Sequence, residues 1–108
     1  KYGNGETSRD YTYISDIVEG IYNSILREER DYQIYNLGNS NSITLNNFIS
    51  ECEKVVDKKA KIENLGDQLG DVPHTYADIS KAKKYLNFDP KIKISEGLQF
   101  TFASIVGR

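Results

Sequence analysis

One chain of 108 residues, with 14 Lys and Arg against 16 Asp and Glu, a net charge of −2 and a pI near 5.4, lacks the clustered basic surface of a nucleic-acid binder. Cys52 is its one cysteine and His74 its one histidine, which excludes an internal disulfide and a Cys/His zinc cluster and suits a reducing cytoplasm. The length fits a single domain over 1–108 burying roughly 60–68% of its unfolded surface. The apolar fraction of 38%, with eight Tyr counted in place of eight Gly, lies below the usual ~45–50% and predicts a thin core. No apolar run is long enough to span a membrane, and no targeting signal is readable. The first residue is Lys1, as in a piece cut from a longer protein.

In chain order, "GNGETS" reads first as a turn in which Gly3 and Gly5 serve tight backbone geometry. It imitates the opening of a dinucleotide fingerprint, but Ser8 stands where a third glycine is needed and a strand, not a helix, is expected next. "DYTYI", Asp10 to Ile14, predicts that strand. A helix follows, with Ser15 as N-cap, Asp16 complementing the dipole, and Ile17, Val18, Ile21 and Ile25 on one buried face. The charged run "REERD" ends it. "YQIYNL" predicts a second strand, closed by the turn "GNSNS". Thr44 then caps a helix whose Leu45, Phe48, Ile49, Cys52 and Val56 recur at buried-stripe spacing. "AKIENL" predicts a short strand with Ala60 and Ile62 on one face. Val72 is extended before Pro73, Asp78 caps a short helix carrying Ile79, Ala82 and Leu86, and a last helix from Ser95 aligns Leu98, Phe102 and Ile105. The fold class expected is α/β, in the mixed α+β sense.

Two side chains carry candidate chemistry. Arg9 offers paired donors in a fixed fork that fits phosphate oxygens; the plainer reading is a surface ion pair with Asp10 or a loop carboxylate. Asp71, between a glycine and a proline-stiffened segment, suits sugar hydroxyls, or alternatively steadies a turn. His74 reads as a hydrogen-bonded surface residue and Cys52 as a small core residue, not a nucleophile. None of the eight tyrosines has lysine four positions on, no paired carboxylate has an obvious environment to raise its pKa, one histidine supports no Ser/His/Asp set, and no catalytic group is assigned.

Taken together, "YGNGETSRDYTYISDIVEGI", "YNLGNSNSITLNNFI" and "LGDVPHTYADISKAKKYLNFDPKIKISEGL" resemble the C-terminal part of NAD-dependent sugar-nucleotide epimerases and dehydratases, the extended short-chain dehydrogenase/reductases. The resemblance runs over almost the whole chain and is greatest to UDP-glucuronate 4-epimerases, with UDP-glucose 4-epimerases near behind. It implies that Arg9 contacts a substrate diphosphate, that Tyr2 lies near the uracil ring and that Asp71 contacts the ribose or the region beside the phosphates. Many glucuronate epimerases carry arginine three residues beyond the aspartate, where this chain has His74. Asn36 to Gly38 and Asp78 match positions read as structural. The cofactor fingerprint for NAD and the Tyr-x-x-x-Lys pair would lie in an N-terminal Rossmann half outside this sequence. With that half, NAD would take hydride from sugar C4 and return it to the other face of the turned keto sugar. This chain would anchor the UDP-sugar, remain inactive alone, and have the Rossmann half and a homodimer mate as protein partners. A dehydratase of the same class and a non-catalytic interaction module are the alternatives.

Overall fold

The computed structural model describes residues 1–28 and 31–107. Its elements are β1 (Ser8–Arg9), α1 (Ile14–Leu26), β2 (Ile43–Thr44), α2 (Leu45–Val56), α3 (Ser80–Leu86) and α4 (Ile94–Val106). Strands and helices are mixed, as the composition of elements predicts. β1 and β2 pair antiparallel, Ser8 opposite Thr44 and Arg9 opposite Ile43, while a single parallel bridge joins Ser8 to His74 on the other side.

The three longer predicted strands do not form as such. The paired segment is Ser8–Arg9, and Asp10 to Tyr13 leads irregularly into α1. Tyr35 and Leu37 still turn inward against the core, with Ile34 outward, so the period-two pattern of "YQIYNL" is real. No neighbouring strand among the described residues supplies a ladder for it, and β propensity alone cannot make a strand. In "AKIENL" only Leu65 is bridged, to Tyr2.

α2 begins where Thr44 predicts: its hydroxyl oxygen accepts from the Asn47 N–H at 3.2 Å, and the helix packs on α4. Tyr11 stacks on Phe48 with ring centroids 4.3 Å apart. Asp78 does its capping one residue before the geometric N-cap, Ile79: its carboxylate accepts from the Ser80 N–H at 3.0 Å and the Ser80 hydroxyl at 2.6 Å. α4 starts at Ile94 rather than Ser95; Leu98 and Phe102 are half-buried, but Ile105 is exposed.

The core is as thin as the composition implies. Ile79, Ala82, Leu86 and Phe88 are its buried apolar residues, with Tyr35, Leu37 and Ala77 packed around them. α1 closes one side, but not with the expected stripe. It starts at Ile14 with Tyr13 as N-cap, so Ser15 lies inside the first turn and caps nothing. Its inward line is Asp16, Gly20 and Asn23, while Val18, Ile21 and Ile25 face out and Ile17 is half-buried. Close approach is the reason. A Cβ on Gly20 would stand 2.8 Å from the Leu37 methyls and 3.2 Å from the Phe88 ring. Asp16, 2% exposed, accepts from the Lys91 and Ile92 N–H groups at 3.1 and 3.0 Å, and Asn23 donates to the Leu86 carbonyl at 2.9 Å. The charged run ends α1 at Leu26, with residues 29 and 30 outside the described residues.

Candidate functional site

The glycine loop is shaped by the start of α2. Gly3 and Gly5 hold φ of +66° and +83°, a left-handed region that L side chains rarely enter. At Gly5 a Cβ would fall 1.9 Å from the Asn46 amide oxygen, so only glycine fits. The Thr7 and Gly5 carbonyls accept from the Leu45 and Asn46 N–H groups at 2.8 and 3.0 Å. The Asn46 side chain returns bonds to the Asn4 carbonyl and Glu6 carboxylate. With Thr44 taking the third N–H, the first-turn donors of α2 are already satisfied by protein. The loop therefore does not present a dinucleotide cradle, which needs such donors free for a pyrophosphate.

The next two residues point in different directions chemically. Asp10 is a staple: its carboxylate accepts from the Asn39, Ser40 and Ala77 N–H groups at 3.1, 2.9 and 3.1 Å. Sequence reasoning offered Asp10 as a partner for Arg9 and missed this role. The available signal was the turn "GNSNS", whose exposed N–H groups need an acceptor. Arg9 instead donates from Nη1 to the Ser8 carbonyl at 2.7 Å and from Nη2 to Asp71 Oδ1 in an ion pair.

That pair joins residues 62 apart in sequence. The join is made by backbone: the Ser8 N–H donates to the Pro73 carbonyl at 2.8 Å and the Thr75 N–H to the Ser8 carbonyl at 3.1 Å, drawing 71–75 alongside β1. The Ser8 hydroxyl and His74 Nδ1 lie 2.7 Å apart. Tyr2, half-exposed and paired with Leu65, lines a hollow of about 290 Å³ with Asp71, Asp67, Gln68 and Pro73. Arg9 is not among the residues lining that hollow but is paired with Asp71, which is. A larger hollow, about 490 Å³, lies between Tyr11, Glu51, Lys91 and Lys93 and includes none of the three candidate residues.

Elsewhere the chemistry is quiet. Cys52 is half-buried on α2, and burial followed by the neighbouring Glu51 charge pushes its thiol pKa up, away from the nucleophilic thiolate. Among the described residues no three His, Cys, Asp or Glu gather as metal ligands, and no helix is long and apolar enough to cross a membrane.

Comparison with known proteins places the chain in a family. The family model for GDP-mannose 4,6 dehydratase matches residues 1–101. An uncharacterized protein of Methanocaldococcus jannaschii is 50% identical over 98 residues, covering 91% of this chain and 30% of that protein. A UDP-glucuronate 4-epimerase of Thermodesulfobacterium geofontis is 46% identical over 101 residues, covering 93% and 31%. The crystal structure of a Bacillus cereus UDP-glucuronic acid 4-epimerase mutant, in complex with UDP-4-deoxy-4-fluoro-glucuronic acid and NAD, superposes with a TM-score of 0.91 at 30% identity over 99% of this chain and 34% of that one. The chain thus spans about a third of the length of the relatives it matches. With a family model matched from end to end of its described helices but the last few residues, and the same fold in a solved epimerase, this chain belongs to the GDP-mannose 4,6 dehydratase family of NAD-dependent epimerases and dehydratases.

Proposed function

We propose that this chain is the nucleotide-sugar-holding part of an NAD-dependent UDP-sugar 4-epimerase acting on UDP-glucuronate or UDP-glucose. Arg9 grips the diphosphate, Tyr2 lies against the uracil and Asp71 accepts from the ribose. The observation that carries the reading is the meeting of Arg9 with Asp71 beside the hollow that Tyr2 shares. A guanidinium fork, a flat ring and a carboxylate within one small region match the three chemically distinct parts of a uridine diphosphate. The relatives named for UDP-glucuronate support the substrate class.

The glycine loop's bonds to α2 do not suit NAD, so the cofactor and the reacting groups belong to the remaining two-thirds of a full-length protein. Alone, this chain binds and orients. Holding the nucleotide supplies binding energy remote from the reacting carbon and fixes where the sugar lies. Titrating the 108-residue chain with UDP while following backbone amide shifts tests the reading. Shifts concentrated at Tyr2, Arg9 and Asp71, and lost in Arg9→Gln, are expected. No movement there at millimolar UDP would overturn it.

A second reading, an interaction module on the same scaffold, draws on α1. Ile14, Val18, Ile21, Tyr22 and Ile25 are all exposed on that one helix, a clustered apolar face of the kind that marks a contact surface. In the epimerase reading the Rossmann part or a second copy covers this face. Sedimentation across a concentration series would favour the module if the chain self-associates through α1 while failing to bind UDP.

A further inference from the structure

The Arg9–Asp71 pair raises a question that the proposed function leaves open. One guanidinium is asked to grip a diphosphate while its Nη2 already donates to a carboxylate. We propose that Asp71 is a stand-in for the substrate phosphate, holding the Arg9 fork in its binding pose until a nucleoside diphosphate exchanges with it. This rests on the reading of Arg9 as the phosphate grip.

A carboxylate and a phosphate present the same kind of paired oxygen acceptor to a guanidinium, so one can occupy the place of the other. They cannot share it comfortably, because Asp71 and the neighbouring Asp67 would stand as like charges against an arriving diphosphate. The backbone allows the exchange to be one-sided. Ser8–Arg9 is bonded to Thr44 and Ile43 on one flank and to 73–75 on the other, which fixes the base of the Arg9 side chain. Asp71 sits at the end of a turn, its N–H donating to the Gln68 carbonyl, after Gly70 with φ +79°. Neither Gly66 nor Gly70 has any atom within 4 Å of where a Cβ would lie, so the turn has open space around it. Asp71 is thus the partner free to rotate away, and it stays beside Tyr2, where a ribose hydroxyl can donate to it.

The test is calorimetric titration of the whole 108-residue chain with inorganic pyrophosphate and, separately, with UDP. Asp71→Asn removes the stand-in and is expected to tighten pyrophosphate by about two- to fivefold, the range set by a half-exposed ion pair. Asp67→Asn removes the same charge from the same hollow without touching the pair, and is expected to gain clearly less. For UDP the D71N gain should shrink or reverse, because the ribose acceptor is lost with it. Asp71→Ala should repeat the pyrophosphate result, with amide spectra confirming that each variant is folded. A D71N gain no larger than that of D67N overturns the exchange. If in that case UDP still binds the wild-type chain and R9Q abolishes the binding, the phosphate grip stands and the absent D71N gain removes the stand-in alone. Failure of UDP and pyrophosphate to bind both wild type and D71N removes the two together.

Discussion

Helices α1 and α3 pack against each other and follow opposite rules. α3 spans only seven residues, yet Ala82 and Leu86, with Ile79 before them, put their apolar spacing directly into the core. α1 is thirteen residues long and more regular in pattern, yet it turns Asp16, Gly20 and Asn23 inward and leaves Ile25 73% exposed. Apolar period identifies a helix; it does not say that this chain provides the surface the stripe is meant for. Where α1 lies close against Leu37 and the crowded Phe88, a small residue and short hydrogen-bonding groups fit better than branched apolar ones.

The largest expected contrast is between Phe88→Ala and Ile25→Ala in urea unfolding. Phe88, 1% exposed, should cost about 3–5 kcal/mol as a cavity, whereas Ile25 should fall within about 0.5 kcal/mol in the free chain. Equal losses would erase the distinction between the two helices. Next comes Asp16→Ala, which strands the Lys91 and Ile92 N–H groups and should cost about 1–3 kcal/mol, measured the same way. A neutral result would mean that the polar face of α1 holds nothing.

A smaller effect sharpens the view of α3. Hydrogen bonds from the Ser80 hydroxyl, then the Ser80 backbone, lower the Asp78 pKa below the ordinary carboxylate value. With the folded value below the unfolded one, this contribution is full above the ordinary carboxylate pKa and is lost as pH falls through the lowered folded value. Asp78→Ala should therefore lower stability near neutrality, change it least in strong acid, and so flatten part of the acid limb of stability against pH. Smallest of all, Cys52 should react slowly with a disulfide reagent at neutral pH, its rate rising only above the ordinary thiol range, because burial and Glu51 both raise its pKa. Rapid reaction at pH 7 would contradict its placement on the packed side of α2.

Much of this was legible before any coordinates. Thr44 marks the start of α2 and the 79–86 spacing marks the core helix, because capping and apolar period are local and both act within this chain. The "DYTYI", "YQIYNL" and "AKIENL" segments misled because aromatic and β-branched residues report a preference, while a strand needs a neighbour. Tyr35 and Leu37 show the alternation surviving without the ladder. At the site, Arg9 and Asp71 were each ambiguous alone, and only the ordered resemblance suggested that they belong together. No periodicity reports a contact across 62 residues; it depends on the backbone bonds from Ser8 to 73–75. Those same bonds bring the two readings of Arg9 to one side chain, with the Asp71 carboxylate as its acceptor in the plain ion pair and a phosphate as its acceptor in the proposed grip.

The seating of the glycine loop on α2 carries one more implication. Because Gly5 and Thr7 are tied to the first turn of that helix and Ser8 is bonded on both flanks, the floor beneath Arg9 is anchored to α2 like an anvil. Compliance is left to the opposite jaw, residues 66–72. In the proposed nucleotide grip, a different ligand would be accommodated by lengthening, stiffening or recharging that short span, with the arginine and its foundation left untouched.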